Sequence, residues 1–570
     1  MHDRVVRGGT IVDGTGNPRF EGDVAIEGGR IVVVGNVPGR GREETDARGC
    51  IVTPGWVDVH THYDGQVTWD PLLTPSGWHG VTTVLMGNCG VGFAPCRKAD
   101  RAWLIDTMEG VEDIPGTALS EGMRWAWESF PEYLDALDRT PRVLDIATQI
   151  PHAALRGYVM GPDPGEGRDA TAAEIDEMRA LVAEGLRAGA LGFTTSRTSL
   201  HKTARGRMVA GTYAPVDELR GITKALKETG LGVFGIADEH VKVAEDLKWM
   251  EEIAVDTGRP VVFNLSQTDF APELWKTVAK GLAEAGERGS PLFAQVAGRA
   301  IGLWMTFRAT AHPFALHPTW QTLKDLPWDV CKARLRDPAV QAALLSEKPA
   351  QAGMFEYWLV QAWDKMYPFA GPADYEPSPE NSVGAIARRS GRTPQQVALE
   401  FLLQNDGEGF LYFPLFNYSN GSLEVLRELH DHPRTLLGLS DGGAHCGAIC
   451  DGGMPTFMLT HWARDRARGA RWSLERAVKR QTSETAQFYG LRDRGLLAPG
   501  LRADLNVIDV DALALTTPRV VNDLPAGGRR LVQRALGYRA TICNGILTFV
   551  NGESTGEMPG RLVRGPQGVA

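Results

Sequence analysis

Pro54-Gly55-Trp56-Val57-Asp58-Val59-His60-Thr61-His62 is a turn followed by an apolar alternation, which predicts a buried β-strand ending in two histidines. Residues two apart on a strand project from the same face, so Asp58, His60 and His62 share one side. A bare His-x-His also fits two solvated histidines, but the turn and the alternation favour half of a metal site. If this strand is the first of a (β/α)8 barrel, the pair lies at the carboxyl-terminal rim, where barrel enzymes hold their active sites.

Composition limits the classes of partner and compartment. The 570 residues carry a net charge of −10 with both signs interspersed, and no basic run supplies phosphate contacts, so nucleic acid is excluded as an expected partner. The seven cysteines are scattered and form no CxxC framework, which predicts a reducing, cytoplasmic location without disulfides. The sequence shows no signal peptide and no apolar run of about 18 residues, so we expect no membrane association.

Strands and helices alternate through the middle of the chain. Buried parallel strands are predicted for the apolar runs at residues 81–86, 190–193, 232–236 and 260–263. A capping box of Thr171 and Glu174 predicts the start of a helix. The alternation over residues 57–490 predicts an α/β fold, a (β/α)8 TIM barrel. Residues 300–410, rich in Trp and Pro, break the pattern and are interpreted as an insertion that either covers the site or forms a second packing layer.

Short strands and glycine turns occupy both ends of the chain. Residues 23–34 are a hairpin pattern with Gly-Gly at its tip, and residues 539–547 repeat the pattern near the other end. We therefore expect a small β-sandwich domain formed by both termini. Its two parts are residues 1–56 and residues 491–570, on either side of the barrel.

Two further loops follow predicted strands and carry candidate ligands. In Gly87-Asn88-Cys89-Gly90 the thiolate of Cys89 is suited to bind or bridge a metal, although a small buried residue in a tight turn fits as well. In Leu439-Ser440-Asp441-Gly442-Gly443-Ala444-His445 the carboxylate of Asp441 is placed to contact both a metal and its water. The alternative for Asp441 is a helix N-cap or a turn residue.

Other polar residues give weaker signals for substrate binding. Arg197 and His201 follow the strand that ends at Phe193, where Arg197 either clamps a substrate carboxylate or is a structural charge at the rim. His445 lies four residues after Asp441 and either orients that aspartate or caps the next helix.

These segments together resemble the amidohydrolase superfamily, in its D-aminoacylase (N-acyl-D-amino-acid deacylase) branch. The tail Asp493-Arg494-Gly495-Leu496-Leu497-Ala498-Pro499-Gly500-Leu501-Arg502-Ala503-Asp504 also matches, so the similarity covers nearly the whole chain. The resemblance implies that His60 and His62 bind one metal, with Zn²⁺ expected. It implies that Cys89 replaces the carboxylated lysine of other superfamily members, as a ligand or bridge, and that Asp441 is the last ligand and the general base.

The chain departs from the branch at two later strands. The branch has a histidine in a His-x-Arg-x-Glu-like segment, where this chain has Gly235-Ile236-Ala237-Asp238-Glu239-His240. It has another in a Ser-His-x-Lys-like run, where residues 260–267 contain neither histidine nor lysine. We therefore expect at most one well-occupied metal. Glu239 or His240 as a substitute ligand, and a site without metal, remain the alternatives.

The expected activity is metal-assisted hydrolysis of a carbon–nitrogen amide bond, with an N-acyl-D-amino acid as the substrate that the resemblance implies. One rival is hydrolysis of another linear or cyclic amide or of a peptide-like natural product. A rival from another class is a ligand-binding barrel that has lost both metal and activity. The expected partner is a small-molecule amide, and a homo-oligomer remains open.

Overall fold

The computed structural model describes residues 1–162, 167–369, 371 and 373–565. Residues 566–570, the end of the predicted C-terminal segment, lie outside the described residues. Across the described ranges, no helix has the length and apolar character needed to cross a membrane.

Strands from both ends of the chain form one nine-stranded sheet, here called the terminal sheet. Its strands are His2–Ile11, Phe20–Glu27, Arg30–Gly35, Gly41–Asp46, Ile51–Pro54, Leu505–Ile508, Tyr538–Cys543, Ile546–Val550 and Glu553–Ser554. Ile51–Pro54 pairs antiparallel with Leu505–Ile508 at the join between the two ends. Pro54 lies just ahead of the strand Trp56–Asp58, so the terminal sheet fixes the start of that strand. The strand ends at Asp58, earlier than predicted, and His60 and His62 follow it in the connecting loop.

Parallel strands form the centre of the molecule in two sheets. One sheet contains Trp56–Asp58, Val81–Met86 and Asp145–Thr148, and the other contains Ile150–Pro151, Gly192–Ser196, Val233–Ala237, Val261–Asn264, Leu292–Ala297 and Thr435–Gly438. Beyond the ends of the first and last strands, Asp441 N donates to His60 O over 3.1 Å and His62 N donates to Gly442 O over 2.8 Å. These bonds bring the histidine strand and the Asp441 loop side by side.

Helices connect the parallel strands and pack against them. Their bounds are Arg101–Glu112, Gly116–Gly122, Phe130–Asp138, His152–Met160, Ala172–Ala188, Val216–Thr229, Val243–Thr257, Leu274–Glu287, Met454–Phe457, Met458–Asp465, Leu474–Gln481 and Ser483–Phe488. Ala172–Ala188 has the predicted capping box, in which the side chains of Thr171 and Glu174 each accept from the other's backbone N–H. The strand predicted at residues 81–86 is also confirmed, and the other predicted parallel strands lie within a few residues of their expected positions.

The segment between the last two parallel strands holds an antiparallel sheet and several helices. The sheet contains Gly302–Met305, Tyr367–Phe369 and Phe410–Pro414. The helices are Pro318–Gln321, Trp328–Leu335, Pro338–Ser346, Met354–Leu359, Val383–Ser390, Pro394–Leu402, Gln404–Gly407 and Glu424–Asp431. The segment touches the loop after the last parallel strand, because Trp304 N donates to Ala448 O and Thr310 N donates to Gly447 O.

Two short antiparallel pairs follow the strand Leu505–Ile508 near the C-terminal end. They are Ala514–Leu515 with Ala535–Leu536, and Arg519–Leu524 with Gly528–Val532. The second pair touches the same loop, since Leu531 N donates to Cys446 O over 2.7 Å. The loop after the last parallel strand is therefore held from several sides.

Candidate metal centre

The histidine pair lies at the end of the first parallel strand, with both rings buried. His60 Nδ1 lies 2.6 Å from Gln295 Oε1, so this amide fixes the ring and leaves Nε2 free to face inward. His60 Nε2 is 3.3 Å from Cys89 Sγ and 3.4 Å from Asp441 Oδ1. His62 Nε2 is 3.7 Å from the same Asp441 oxygen. The two imidazoles therefore point one nitrogen each at a common centre.

Cys89 and Asp441 come to this centre from loops that follow two other parallel strands. Both residues have positive φ, 55° at Cys89 and 48° at Asp441, which non-glycine residues seldom adopt. Such backbone strain is typical of residues held in place for function. The prediction that His60, His62, Cys89 and Asp441 lie close together is thus confirmed. Their roles as metal ligands and general base stay predictions.

The donor set fits a divalent metal. The ligand atoms of His60, His62 and Cys89 all lie within 4.8 Å of one another, and the Asp441 carboxylate adjoins both imidazoles. Two imidazole nitrogens, one thiolate and one carboxylate are ligands that Zn²⁺ accepts in a four-coordinate site.

Burial sets the protonation of these groups. It lowers the pKa of His60 to about 4 and the pKa of His62 well below its usual value, so both rings are neutral near pH 7 and have lone pairs to donate. Burial, with the charges of Glu112 and Asp441, raises the pKa of the Cys89 thiol well above its ordinary value. Binding of a metal by Cys89 would therefore release a proton.

Two buried carboxyl groups beside the centre were missed by the sequence reasoning. Glu112, at the end of the helix Arg101–Glu112, has Oε1 3.1 Å from His62 Nδ1. Asp64 is buried, and burial raises its pKa to about 7. Asp64 lies two residues after His62, so extending the i, i+2 pattern by one step would have found it. Glu112 gave no such signal, because a charge at a helix end usually faces solvent.

Neighbouring polar groups fix the first strand and the Asp441 loop together. Asp58 accepts a hydrogen bond from Ser440 Oγ and another from His60 N, and burial raises its pKa to about 7. Ser440 Oγ also lies 3.1 Å from His60 O. Gln295, which bonds His60, is the one polar residue in the strand Leu292–Ala297, and that isolation was a signal the sequence reasoning did not use.

The opposite side of the centre has no metal ligand at Gly235 or Asn264, which fall in the two segments where the related branch has histidines. A Cβ at Gly235 would lie 3.0 Å from Thr194 Cγ2, which is tighter than most Cβ contacts, so a side chain there would have to displace that methyl group slightly. Asn264 occupies the other slot, with Nδ2 4.0 Å from Cys89 Sγ. Glu239 accepts from Ser199 N over 2.7 Å, and the ring of His240 packs at a tilt of 43° against that of Phe416, with the ring centroids 4.5 Å apart.

The three candidate substrate contacts have different partners. His201 Nδ1 lies 2.8 Å from Ser196 Oγ, and burial with the charges of three neighbouring imidazoles lowers its pKa to about 3. His445 Nε2 lies 3.6 Å from Glu112 Oε2. The guanidinium of Arg197 donates to Ala214 O and faces the ring of Trp249 at 6.0 Å.

Comparison with known proteins gives a consistent result. The model of the amidohydrolase family matches residues 43–549. N-acyl-D-aspartate deacylase of Alcaligenes xylosoxydans xylosoxydans is 28% identical, over 98% of this chain and 95% of the relative. The D-aminoacylase of the same organism is 27% identical, over 98% and 97%.

A solved structure also resembles the chain. It is N-acyl-D-glutamate deacylase from Bordetella bronchiseptica, complexed with zinc and a phosphonate inhibitor, with a TM-score of 0.65 and 23% identity. The likeness covers 99% of this chain and 100% of that one. At this identity it shows the fold alone, and the TIM-barrel-type α/β fold predicted from the sequence is confirmed.

Proposed function

The chain belongs to the amidohydrolase family, and from that premise we propose that it is a metal-dependent hydrolase of the amide bond in N-acyl-D-amino acids. The observation that carries the proposal is the meeting of His60, His62, Cys89 and Asp441 at the end of the first parallel strand. The deacylase relatives, at 27% and 28% identity, support this substrate class.

We further propose that the site holds a single ion, with Zn²⁺ expected, bound by His60, His62, Cys89 and Asp441. The support is the difference between the two sides of the centre. A Cβ at Gly235 would be crowded by the Thr194 methyl group at 3.0 Å, and Asn264 offers a neutral amide in place of an imidazole.

Asp441 and Gln295 have separate roles in the proposed reaction. A divalent ion, when bound, lowers the pKa of water and polarises the substrate carbonyl. Burial raises the pKa of Asp441 to about 6, while the neighbouring His445 lowers it. The carboxylate is therefore ionised at pH 7 but basic enough to take a proton from the attacking water. Asp441 then returns that proton to the leaving amine, while Gln295 keeps His60 in the orientation that presents Nε2.

We propose that His201, His445 and Arg197 contribute to substrate binding at the rim. His201 and His445 lie near enough to the metal-binding histidines to affect their pKa values. Arg197 would have to leave Ala214 O to clamp a substrate carboxylate, which makes it the weakest member of this set.

A second candidate is hydrolysis of another linear or cyclic amide, or of a peptide-like natural product. The observation in its favour is residues 260–267, which lack the lysine of the related branch. A substrate without a carboxylate would need no cation at that place.

The finer architecture is also a proposal. We infer that residues 1–56 and 491–570 form a small β-sandwich domain beside a (β/α)8 barrel at residues 57–490, supported by the terminal sheet that both ends share. The seven free cysteines support a cytoplasmic location. Assembly into a homo-oligomer stays a prediction.

The substrate proposal is tested with the zinc-loaded protein on a panel of N-acyl-D-amino acids, their L enantiomers, cyclic imides and hydantoins. Release of free D-amino acid with little turnover of the other compounds is the expected result. Turnover of the cyclic amides alone would replace the substrate class with the second candidate. No turnover of any compound by a zinc-loaded chain would favour a ligand-binding barrel.

A further inference from the structure

We propose that Glu112 is a positioning residue that accepts a hydrogen bond from His62 Nδ1–H and thereby presents His62 Nε2 to the metal. The proposal rests on the metal-dependent function proposed above. It concerns a residue that takes no part in the ligand set, and it assigns a purpose to a carboxyl group that is otherwise difficult to explain in its surroundings.

The geometry places the carboxyl group at His62. The Glu112 side chain is 1% exposed, and its Oε1 lies 3.1 Å from His62 Nδ1. The approach is not aligned as a hydrogen bond, and within the described residues no hydrogen-bond partner is found for His62 Nδ1 or for either Glu112 oxygen. His445 Nε2 is the other imidazole nitrogen near this carboxyl group, 3.6 Å from Glu112 Oε2. Two buried polar groups are therefore left beside each other, and a small turn of the imidazole would pair them.

The backbone around Glu112 fixes that carboxyl group against two site loops. His445 N donates to Glu112 O. The next residue, Asp113, has φ of 51° and ends the helix. Its Oδ2 accepts from Thr310 Oγ1 over 2.7 Å and from Gly447 N over 3.1 Å. The helix end is thus tied to the loop that follows Asp441 and to the segment before the last strand.

The electrostatic setting is unfavourable for a carboxylate unless a cation is near. Glu112 lies at the carboxyl-terminal end of its helix, where the helix dipole disfavours negative charge. Its surroundings are buried and include the carboxyl groups of Asp64 and Asp441. Burying a charge without a partner is costly. A cation held at His62 Nε2 would make Nδ1–H a stronger donor, and the pairing with Glu112 would fix both the tautomer and the ring orientation.

A purely structural role for Glu112 makes a different prediction. If the Glu112 side chain only fills space, the isosteric Glu112→Gln should leave metal affinity unchanged. Any effect of the substitution should then be a lower melting temperature of the metal-free chain. Metal affinity and metal-free stability must therefore be measured separately.

The test compares the full-length chain with Glu112→Gln, and with Glu121→Gln as the matched control. Glu121 is exposed on the next helix, Gly116–Gly122. Zinc affinity is measured on metal-free protein by competition with a chromophoric chelator. We expect Glu112→Gln to bind zinc about 10–100-fold more weakly, with the melting temperature of the metal-free chain unchanged. Glu121→Gln should bind zinc as the unmodified chain does.

Equal zinc affinity in Glu112→Gln and the unmodified chain would overturn the assignment of Glu112 and leave the metal proposal intact. Absence of zinc binding by the unmodified chain would instead overturn the metal-dependent function and this role with it. If Glu112→Gln fails to fold, the imidazole ¹⁵N spectrum of the zinc-loaded unmodified chain decides the question. A His62 Nδ1–H proton shifted far downfield, as in a hydrogen bond to a carboxylate, supports the proposal. An Nδ1–H proton without that shift, or a protonated Nε2, overturns it.

Discussion

The two sides of the candidate metal centre differ in the metal-binding side chains that they supply. On the side formed by the first, second and last parallel strands, His60, His62, Cys89 and Asp441 converge. On the side formed by the strands Val233–Ala237 and Val261–Asn264, the corresponding positions are Gly235 and Asn264. The fold is therefore retained while the ligands of one side are absent.

The physical reason lies in packing. Thr194 Oγ1 donates to Gly87 O over 2.6 Å and accepts from Gly90 N over 3.1 Å, so its methyl group is fixed toward Gly235. Those bonds also hold the backbone on both sides of Cys89. The hydrogen bonds of Thr194 thus hold the backbone around Cys89 and also fix the methyl group that crowds Gly235. This arrangement favours binding of a single ion.

The largest expected effect comes from removing His60 on the side that has the four candidate ligands. His60→Ala should abolish activity and reduce bound zinc to a trace, because His60 Nε2 faces both Cys89 and Asp441. Metal analysis and turnover of an N-acyl-D-amino acid measure the two effects. His2→Ala, in the terminal sheet, is the control and should retain both. A His60→Ala chain with full activity would contradict the assignment.

Asp441→Asn tests the proposed role of Asp441 as general base separately from metal binding by the other ligands. The variant should lose about 10²–10⁴-fold in kcat, because the amide cannot take a proton from water. His60, His62 and Cys89 should still retain zinc, which metal analysis of the same sample checks. Turnover near the level of the unmodified chain would show that another group is the base.

Histidines can be introduced by mutation at Gly235 and Asn264, on the side of the centre that lacks ligands. Gly235→His with Asn264→His should not add a tightly bound second zinc, because the Thr194 methyl group crowds the Cβ of the new histidine at 235. Adding Thr194→Ser removes that methyl and keeps the hydroxyl bonds to Gly87 and Gly90, so the triple variant should approach two zinc ions per chain. Zinc counted in both variants tests the packing argument. A second zinc in the variant that keeps Thr194 would disprove it.

The smallest effect concerns a paired carboxylate far from the centre. Burial alone would raise the pKa of Glu376, but hydrogen bonds from His461, Arg466 and Leu423 N outweigh it and hold the pKa at about 2, against an ordinary 4.5. The ionised pair therefore stabilises the fold fully above pH 4.5, and this contribution is lost as the pH falls towards 2. Glu376→Gln should destabilise the chain by on the order of 3 kcal/mol at pH 7.

Melting temperatures across pH check this prediction. The difference between Glu376→Gln and the unmodified chain should narrow as the pH falls from 5 to 3. A difference that stays constant with pH would mean that packing, and not charge, accounts for the loss. Burial raises the pKa values of the site carboxyls Asp58 and Asp64 instead, so they provide the contrasting case.

Residues at the ends of strands were predictable from the sequence, and residues brought in by helices were not. His60, His62, Cys89 and Asp441 each follow an apolar run, and in a parallel sheet such positions share one edge. Glu112 comes from a helix end and reaches His62 only through the helix packing and the bonds of Asp113. No sequence periodicity or motif indicates that Glu112 lies beside His62. The closure of Gly235 by Thr194 likewise depends on strand register, which the sequence alone does not supply.

The central claim is that one side of this centre holds one metal ion. The direct measurement is zinc titration of chelator-treated, full-length protein, followed by removal of weakly bound metal and elemental analysis alongside activity. We predict that zinc saturates at one equivalent per chain and that activity is fully restored at that point. Saturation at two tightly bound equivalents, or activity in a chain free of metal, would contradict the account.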